Sequence, residues 1–230
     1  MSARVAHFAT LAAGIVSGMA LLGVVCAAAY WLLASEQFAV REVRVRGELQ
    51  RASADDIRAA LPRVGGNFFS ADLAELRAAA ERMPWVRRVS VRRVWPAAVE
   101  LTVEEHAALA RWGDDRLVNT HGETFSAKSK EPLPIFVAPA GTSVEVTRRY
   151  RRFTEIVAPL GTTIDRVVLS PRQAWQLRLA NGQHLMLGRD ADAAEARLRR
   201  YVGATPSARH EYIDLRYPNG FAVRVPDWSG

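Results

Sequence analysis

Apolar and polar positions along this chain change rhythm three times. From Ala12 to Leu33 the residues read AAGIVSGMALLGVVCAAAYWLL, and no Asp, Glu, Lys or Arg occurs between Arg4 and Glu36. At about 1.5 Å per residue such a run spans roughly 33 Å as a helix, enough for a bilayer core of about 30 Å. Backbone amides cannot stay unpaired in hydrocarbon, so the run must be helical there. Tyr30 and Trp31 at its end suit the membrane–water interface. The pattern therefore predicts a transmembrane helix over 12–33, behind a short tail, 1–11. A cleaved signal peptide with Ala27-Ala28-Ala29 before Tyr30 is the competing reading, but signal cores usually hold only about 7–15 apolar residues. Val25 before Cys26 is a poor lipoprotein signal.

From Phe38 the period becomes two. Val43 and Val45 alternate with Arg44 and Arg46, and Gly47 ends the run. Ser53-Ala-Asp-Asp56 forms a capping signal for a short helix with Ile57, Ala60 and Leu61 on its apolar side, stopped by Pro62. Gly65-Gly66-Asn67 reads as a loop. Ser70 or Asp72 can cap a second helix with Leu73, Leu76, Ala80 and Met83 at helical spacing. Two strands follow, Val86–Val94 and Ala98–Val103, parted by Trp95-Pro96. Strand, helix, helix, strand, strand over 38–105 is an α+β layer, two short helices covering one face of a small sheet. Trp85 and Val89 are expected in its core.

The second half, 106–226 with a tail at 227–230, mixes both periods. Val144, Tyr150, Phe153, Ile156, Val157 and Leu160 outline a helix ended by Gly161. Arg166–Leu169, Ala174–Ala180 and Gln183–Leu187 read as strands, with Asn181-Gly182 a tight-hairpin signal between the last two. Asp190 or Asp192 starts a helix whose inner side holds Ala194, Leu198 and Tyr201. His210–Tyr217 and Phe221–Val225 read as a hairpin around Asn219-Gly220, with Pro218 tolerated beside the turn. A mixed sheet with two helices results, its last strand an exposed edge.

Several of these segments carry a resemblance. Met83-Pro84-Trp85-Val86, Val89-Ser-Val91, Val94-Trp95-Pro96 and Leu101-Thr-Val103-Glu104-Glu105 resemble a POTRA domain, more narrowly that of the FtsQ/DivIB bacterial cell-division family. Ala107–Trp112, Leu117-Val118-Asn119…Gly122…Phe125 and Tyr212-Ile-Asp214-Leu215-Arg216-Tyr217-Pro-Asn-Gly220 continue it, so that it covers about residues 8–226. The resemblance implies a bitopic inner-membrane protein with its N-terminus cytoplasmic and both domains periplasmic, concentrated at the division septum. It implies a non-enzymatic scaffold that links early and late division proteins and helps control septal peptidoglycan synthesis. A POTRA-containing assembly or secretion factor for outer-membrane proteins is the alternative, though this length leaves no room for the β-barrel that usually accompanies one.

Charge changes this picture little. The formal net charge is +7, but only Lys128 and Lys130 are lysine and the arginines are interspersed with acids, which reads as solvated strand faces rather than a nucleic-acid surface. Only Arg4 precedes the apolar run, while Arg41, Arg44, Arg46 and Arg51 follow it. The positive-inside rule is weak for long translocated domains, so charge alone leaves topology open. The sole cysteine, Cys26, lies in the apolar run, so no disulfide joins the soluble part.

The residues offer no catalytic, cofactor or small-molecule constellation. His7, His106, His121, His184 and His210 lack metal-ligand spacing, and no HExxH, GxSxG, P-loop or GxGxxG occurs. His121-Gly-Glu123 reads as a turn, Asp114-Asp115 as a hairpin tip, and Asp190 and Asp192 as caps rather than the start of a calcium loop.

Binding remains, and the candidate is the last strand. A terminal strand with unpaired amides and carbonyls is a template for strand addition, whereas Phe221, Val223 and Val225 are equally readable as core residues covered by the tail. The residues alone leave both open. The resemblance implies the first, since in the family this strand receives the periplasmic end of FtsB, itself paired with FtsL. The matching positions are Arg172, Arg216, Tyr217, Asn219, Gly220, Phe221 and Val223. Other division proteins would meet the POTRA domain. The tryptophan that some members carry at the end of this strand is Val225 here, with Trp228 close by.

Overall fold

A computed structural model describes the chain apart from residues 1, 36–37, 64–66, 205–210, 218–219 and 225–230, and the chain divides into two compact units, 1–105 and 106–230. The first unit opens with helix α1, Ser2–Ala34. Its stretch Gly14–Leu33 is the one helix among the described residues long and apolar enough to cross a membrane, and none of it is buried against protein.

The rest of this unit has the predicted order: β1 (Glu42–Arg46), α2 (Ala54–Ala60), α3 (Leu73–Glu81), β2 (Val86–Val94) and β3 (Ala98–Glu105). Each helix starts where a side chain can take up orphan amides. Ser53 Oγ accepts from Asp56 N at 2.9 Å, and Asp72 Oδ1 accepts from Ala74 N and Glu75 N at 2.9 and 3.0 Å. The sheet runs β1-β3-β2, with β3 central, parallel to β1 and antiparallel to β2. Ile57, Leu76 and Ala80 from the helices pack on Val86, Val89, Val99, Leu101 and Val103. Gly47 ends β1 at φ +139°, and any Cβ there would collide with the Val103 carbonyl.

Trp85 departs from expectation. Val89 is buried, but Trp85 is only half-buried and lies outside the apolar cluster, with the Arg51 guanidinium 4.9 Å from its ring centroid. It falls in the turn between α3 and β2, where neither helical nor strand alternation points it inward.

The second unit is built on β4 (Ala108–Trp112), β5 (Arg116–Asn119), β6 (Thr124–Phe125), β7 (Ile135–Val137), α4 (Ser143–Val157), β8 (Ile164–Leu169), β9 (Trp175–Leu179), β10 (His184–Gly188), α5 (Ala191–Ala204), β11 (Tyr212–Asp214) and β12 (Ala222–Arg224). Nine strands form one mixed sheet in the order β12-β11-β10-β9-β8-β7-β4-β5-β6. Helices α4 and α5 pack together on one face, joined by Arg149 to Glu195 and Asp192 at 2.7 and 2.8 Å. Beneath them Phe153, Val157, Leu198 and Tyr201 meet Phe136, Val167, Trp175, Leu177 and Leu185.

Helix α4 ends where expected, through a 3-10 turn to Gly161 at φ 66°. Its start differs: Val144 is exposed and Val146 is buried instead. Gly122, at φ +83°, lies against the Val144 backbone, where an added Cβ would sit 2.6 Å from Cα. The α+β class and both tight turns, Asn181-Gly182 and Gly113–Asp115, are as read from the sequence.

Candidate partner-binding edge

Register explains how distant residues reach one end of the large sheet. β10 and β11 run parallel, pairing Met186 with Asp214, while β9 runs antiparallel to β10, pairing Trp175 with Gly188. The β8–β9 turn, which carries Arg172, therefore lies at the same end as Leu215-Arg216-Tyr217 and the start of β12. Arg172 is exposed. Three strand spacings separate β9 from β12, about 14 Å. Arg216 bridges part of that gap, since its stem lies over Gly188, where an added Cβ would be 3.4 Å from Arg216 Cγ.

Arg216 is held in place. Its guanidinium grips Asp214 through Nε to Oδ1 at 2.9 Å and NH2 to Oδ2 at 2.6 Å, and Arg216 N donates to the same carboxylate at 3.0 Å. Asp214 is buried apart from this pair, and the Arg216 hydrogen bonds keep its carboxyl below the usual aspartate range, overcoming the upward push of burial. The same partner raises the already high pKa of Arg216. Sequence reading found Arg216 but missed this fork. The signal was available, because residues two apart on a strand share a face.

Among the described residues β12 is the terminal strand of the large sheet. It pairs antiparallel with β11, Ile213 opposite Val223 and Asp214 opposite Ala222. Paired residues share a face, so Val223 lies on the helix-bearing side with the buried Ile213, yet it stays 37 % exposed. Phe221 does pack inward, edge-on to Tyr201 at 5.5 Å. Of the last strand's apolar residues, Phe221 is thus a core contact and Val223 an incompletely covered one. Tyr217, 55 % exposed, offers its ring at the strand's start. Gly220 is half-buried, whereas Asn219 and Val225 lie outside the described residues. The hairpin strands are shorter than read from the sequence.

The suspected chemical groups elsewhere have structural partners. Asn119, fully buried, accepts from His121 N and Glu123 N at 2.9 Å, fixing the His121-Gly-Glu123 turn, and its Nδ2 lies 2.9 Å from His106 Nδ1. His106 stacks on Phe125 at 4.0 Å. Asp190 caps α5, accepting from Asp192 N and Ala193 N at 3.0 Å. Among the described residues no three His, Cys, Asp or Glu come together as a metal set.

Two family models match this arrangement. Residues 38–106 match the POTRA domain of FtsQ type, and residues 110–216 match the C-terminal domain of cell division protein FtsQ/DivIB. Relatives called cell division protein FtsQ include one from Burkholderia pseudomallei, 45 % identical over 227 residues, covering 94 % of this chain and 91 % of the relative. Another from Nitrosospira multiformis is 42 % identical, covering 84 % of this chain and 86 % of the relative. A third, from Bordetella pertussis, is 39 % identical, covering 94 % and 88 %. With a POTRA unit, a nine-stranded second unit and these relatives, the chain belongs to the FtsQ/DivIB family of cell division proteins.

Proposed function

We propose that this protein is a non-enzymatic scaffold of the division machinery whose β12 edge receives a strand from a partner. The carrying observation is the terminal position of β12, with Val223 partly uncovered on one side and Tyr217 and the anchored Arg216 at its start. An added strand would gain main-chain hydrogen bonds from the open edge and specificity from a few side chains. Tyr217 supplies a flat ring with a polar tip, and Arg172 a guanidinium suited to a carboxylate. The partner in this reading is FtsB, paired with FtsL, as the family resemblance implies.

In this reading α1 spans the inner membrane as an uncleaved anchor, the N-terminal tail is cytoplasmic and both folded units stand in the periplasm at the septum. The scaffold links early and late division proteins and helps control septal peptidoglycan synthesis, the POTRA unit meeting other divisome members. Alkaline phosphatase fused after Gly230 should be active, and a mature chain beginning at Tyr30 would contradict the anchor. Calorimetric titration with the periplasmic segment of FtsB tests the edge. The Tyr217→Ala, Arg172→Glu double variant should bind at least tenfold more weakly while keeping its circular dichroism, in line with the cost of losing hot-spot side chains. Wild-type affinity in that variant would overturn the assignment of these side chains.

A further inference from the structure

The end of α1 is capped from within its own unit. Asn67, 3 % exposed, directs Nδ2 at three carbonyls: Leu32 O at 2.7 Å, Leu33 O at 2.9 Å and Ser35 O at 3.3 Å. These belong to the carbonyls that a helix end leaves without intrahelical partners. The amide's other atom, Oδ1, accepts from Phe69 N at 2.9 Å and Ser70 N at 3.2 Å. Phe68 N donates to Phe38 O at 2.7 Å. Residues 67–70 are thereby clamped to the exit of the apolar helix.

The clamp carries four aromatic rings. Phe38, Phe68, Phe69 and Trp95 form a cluster with centroids 5.3 to 6.5 Å apart. Phe68 is its buried member, whereas Phe69 is 37 % and Trp95 63 % exposed. Trp95 stands at the tip of the β2–β3 hairpin, where solvent contact is costly for so large an apolar ring. Arg93 ties the loop beneath, its Nε donating to Phe68 O at 2.6 Å and its NH2 to Ala71 O at 2.9 Å. The loop's carbonyls are thus partly satisfied without water.

Depth follows from the clamp. The 20 residues Gly14–Leu33 match a hydrocarbon core of about 30 Å, so Leu33 marks the core's edge. Beyond it lies a headgroup layer of about 5–8 Å on each side. Asn67 touches the carbonyls of Leu32, Leu33 and Ser35, so Phe69, two residues along, and Trp95, packed against Phe68 and Phe69, fall in that layer. Tyr30 and Trp31, both exposed, sit at the same end of the helix. Amphipathic indole rings favour this layer.

We propose that Phe69 and Trp95 rest in the lipid headgroup layer, so that the POTRA unit is seated on the bilayer surface by its aromatic tip and not merely tethered to it. The inference rests on α1 being the membrane span. The covered face is a lipid surface, and the seat fixes one end of the POTRA sheet against the membrane.

The test uses the full chain in nanodiscs containing phosphatidylcholine brominated shallow or deep along the acyl chain, with tryptophan fluorescence as the readout. Removing a strongly quenched emitter lowers the quenched fraction of total emission, and removing an unquenched one raises it. Trp95→Phe, which keeps a ring in the cluster, should lower the fraction quenched by shallow bromine and change deep quenching little. Asn67→Ala in the wild-type background should also lower shallow quenching, because the clamp sets the depth. A quenched fraction unchanged or raised in Trp95→Phe overturns the proposal. Trp31→Phe is the separate check on the span: if it too leaves quenching unchanged, α1 does not cross the bilayer and the fault lies there.

Discussion

The two units end their sheets in opposite ways. In the POTRA unit the long edge strand β2 carries Arg87, Arg88, Arg92 and Arg93 in nine residues. Arg87 pairs with Glu104 at 2.6 Å, and Arg92 with Glu100 at 2.6 Å. Glu100 is almost wholly covered and also accepts from Arg46 at 2.6 Å, making a three-strand ladder on the face away from the helices. In the second unit β12, described over Ala222–Arg224, is apolar at Ala222 and Val223, as is the preceding Phe221, and carries one arginine, Arg224. Charge along an edge is a familiar defence against unwanted strand pairing. β2 thus carries four arginines along its length and β12 a single one, Arg224.

The largest effects test whether each edge stands on its own core. Trp175, 1 % exposed, lies under α4 edge-on to Phe153 at 5.6 Å. Trp175→Ala should cost about 3–5 kcal/mol, much of a domain's stability, and lower the denaturant midpoint sharply. Trp85→Ala should cost less, about 1–2 kcal/mol, since that ring is half-buried and loses mainly partial burial and its Arg51 contact. Equal losses at the two sites, by chemical denaturation of each variant, would place Trp85 in the core after all.

Next comes the edge contrast itself. Val223→Arg adds a second arginine beside Arg224, bringing β12 nearer to the run of guanidinium groups on β2, and should weaken FtsB-segment binding about tenfold or more, with the fold intact by circular dichroism. Arg88→Val on β2 should leave that binding unchanged. A variant pair with the reverse pattern would mean the wrong edge has been chosen.

The smallest effect is pH dependence. Hydrogen bonds from Arg92, and secondly Arg46, hold the Glu100 carboxyl below the usual glutamate range, and Arg216 does so for Asp214. A carboxyl with a depressed folded pKa stabilises the fold above its unfolded value, near pH 4, and loses that contribution as pH falls through the folded value. Thermal stability should therefore decline below about pH 4, and Asp214→Asn should flatten part of the decline. An unchanged acid slope in Asp214→Asn would mean that the fork contributes no differential stability.

Much of this architecture was legible because local rules were obeyed. Ser53, Asp72 and Asp190 cap helices as their side chains predict, Gly161 ends α4, and Asn181-Gly182 turns β9 into β10. The small strands β4 to β7 were not assigned from periodicity. They hold two to five residues each, too few for alternation to register, and β7 is placed by parallel pairing with β4 and β8. Val144 and Trp85 were misplaced because one lies in the first turn of α4 and the other in the turn before β2, where the periodicity of an element does not fix which way a side chain faces.

The candidate site was legible unevenly. Tyr217 and Arg172 were named through resemblance, and nothing in their local pattern shows that β9, β10 and β11 carry them to one end. That depends on β10 and β11 being parallel, with α5 intervening in sequence, a non-local fact. The Asn67 clamp was also hidden. Its partners Leu32, Leu33 and Ser35 lie more than thirty residues away, and Gly65-Gly66-Asn67 looked like a plain loop.

The central claim is that β12 accepts a partner strand along its open side. Backbone amide hydrogen exchange across Phe221–Arg224, with and without a saturating periplasmic segment of FtsB, tests it most directly. Strand addition protects alternate amides, since every second residue of an edge strand points its N–H outward. The account predicts strongly slowed exchange at alternating positions of β12 and little change along β2. Binding that leaves every β12 amide exchanging at its free rate would contradict it.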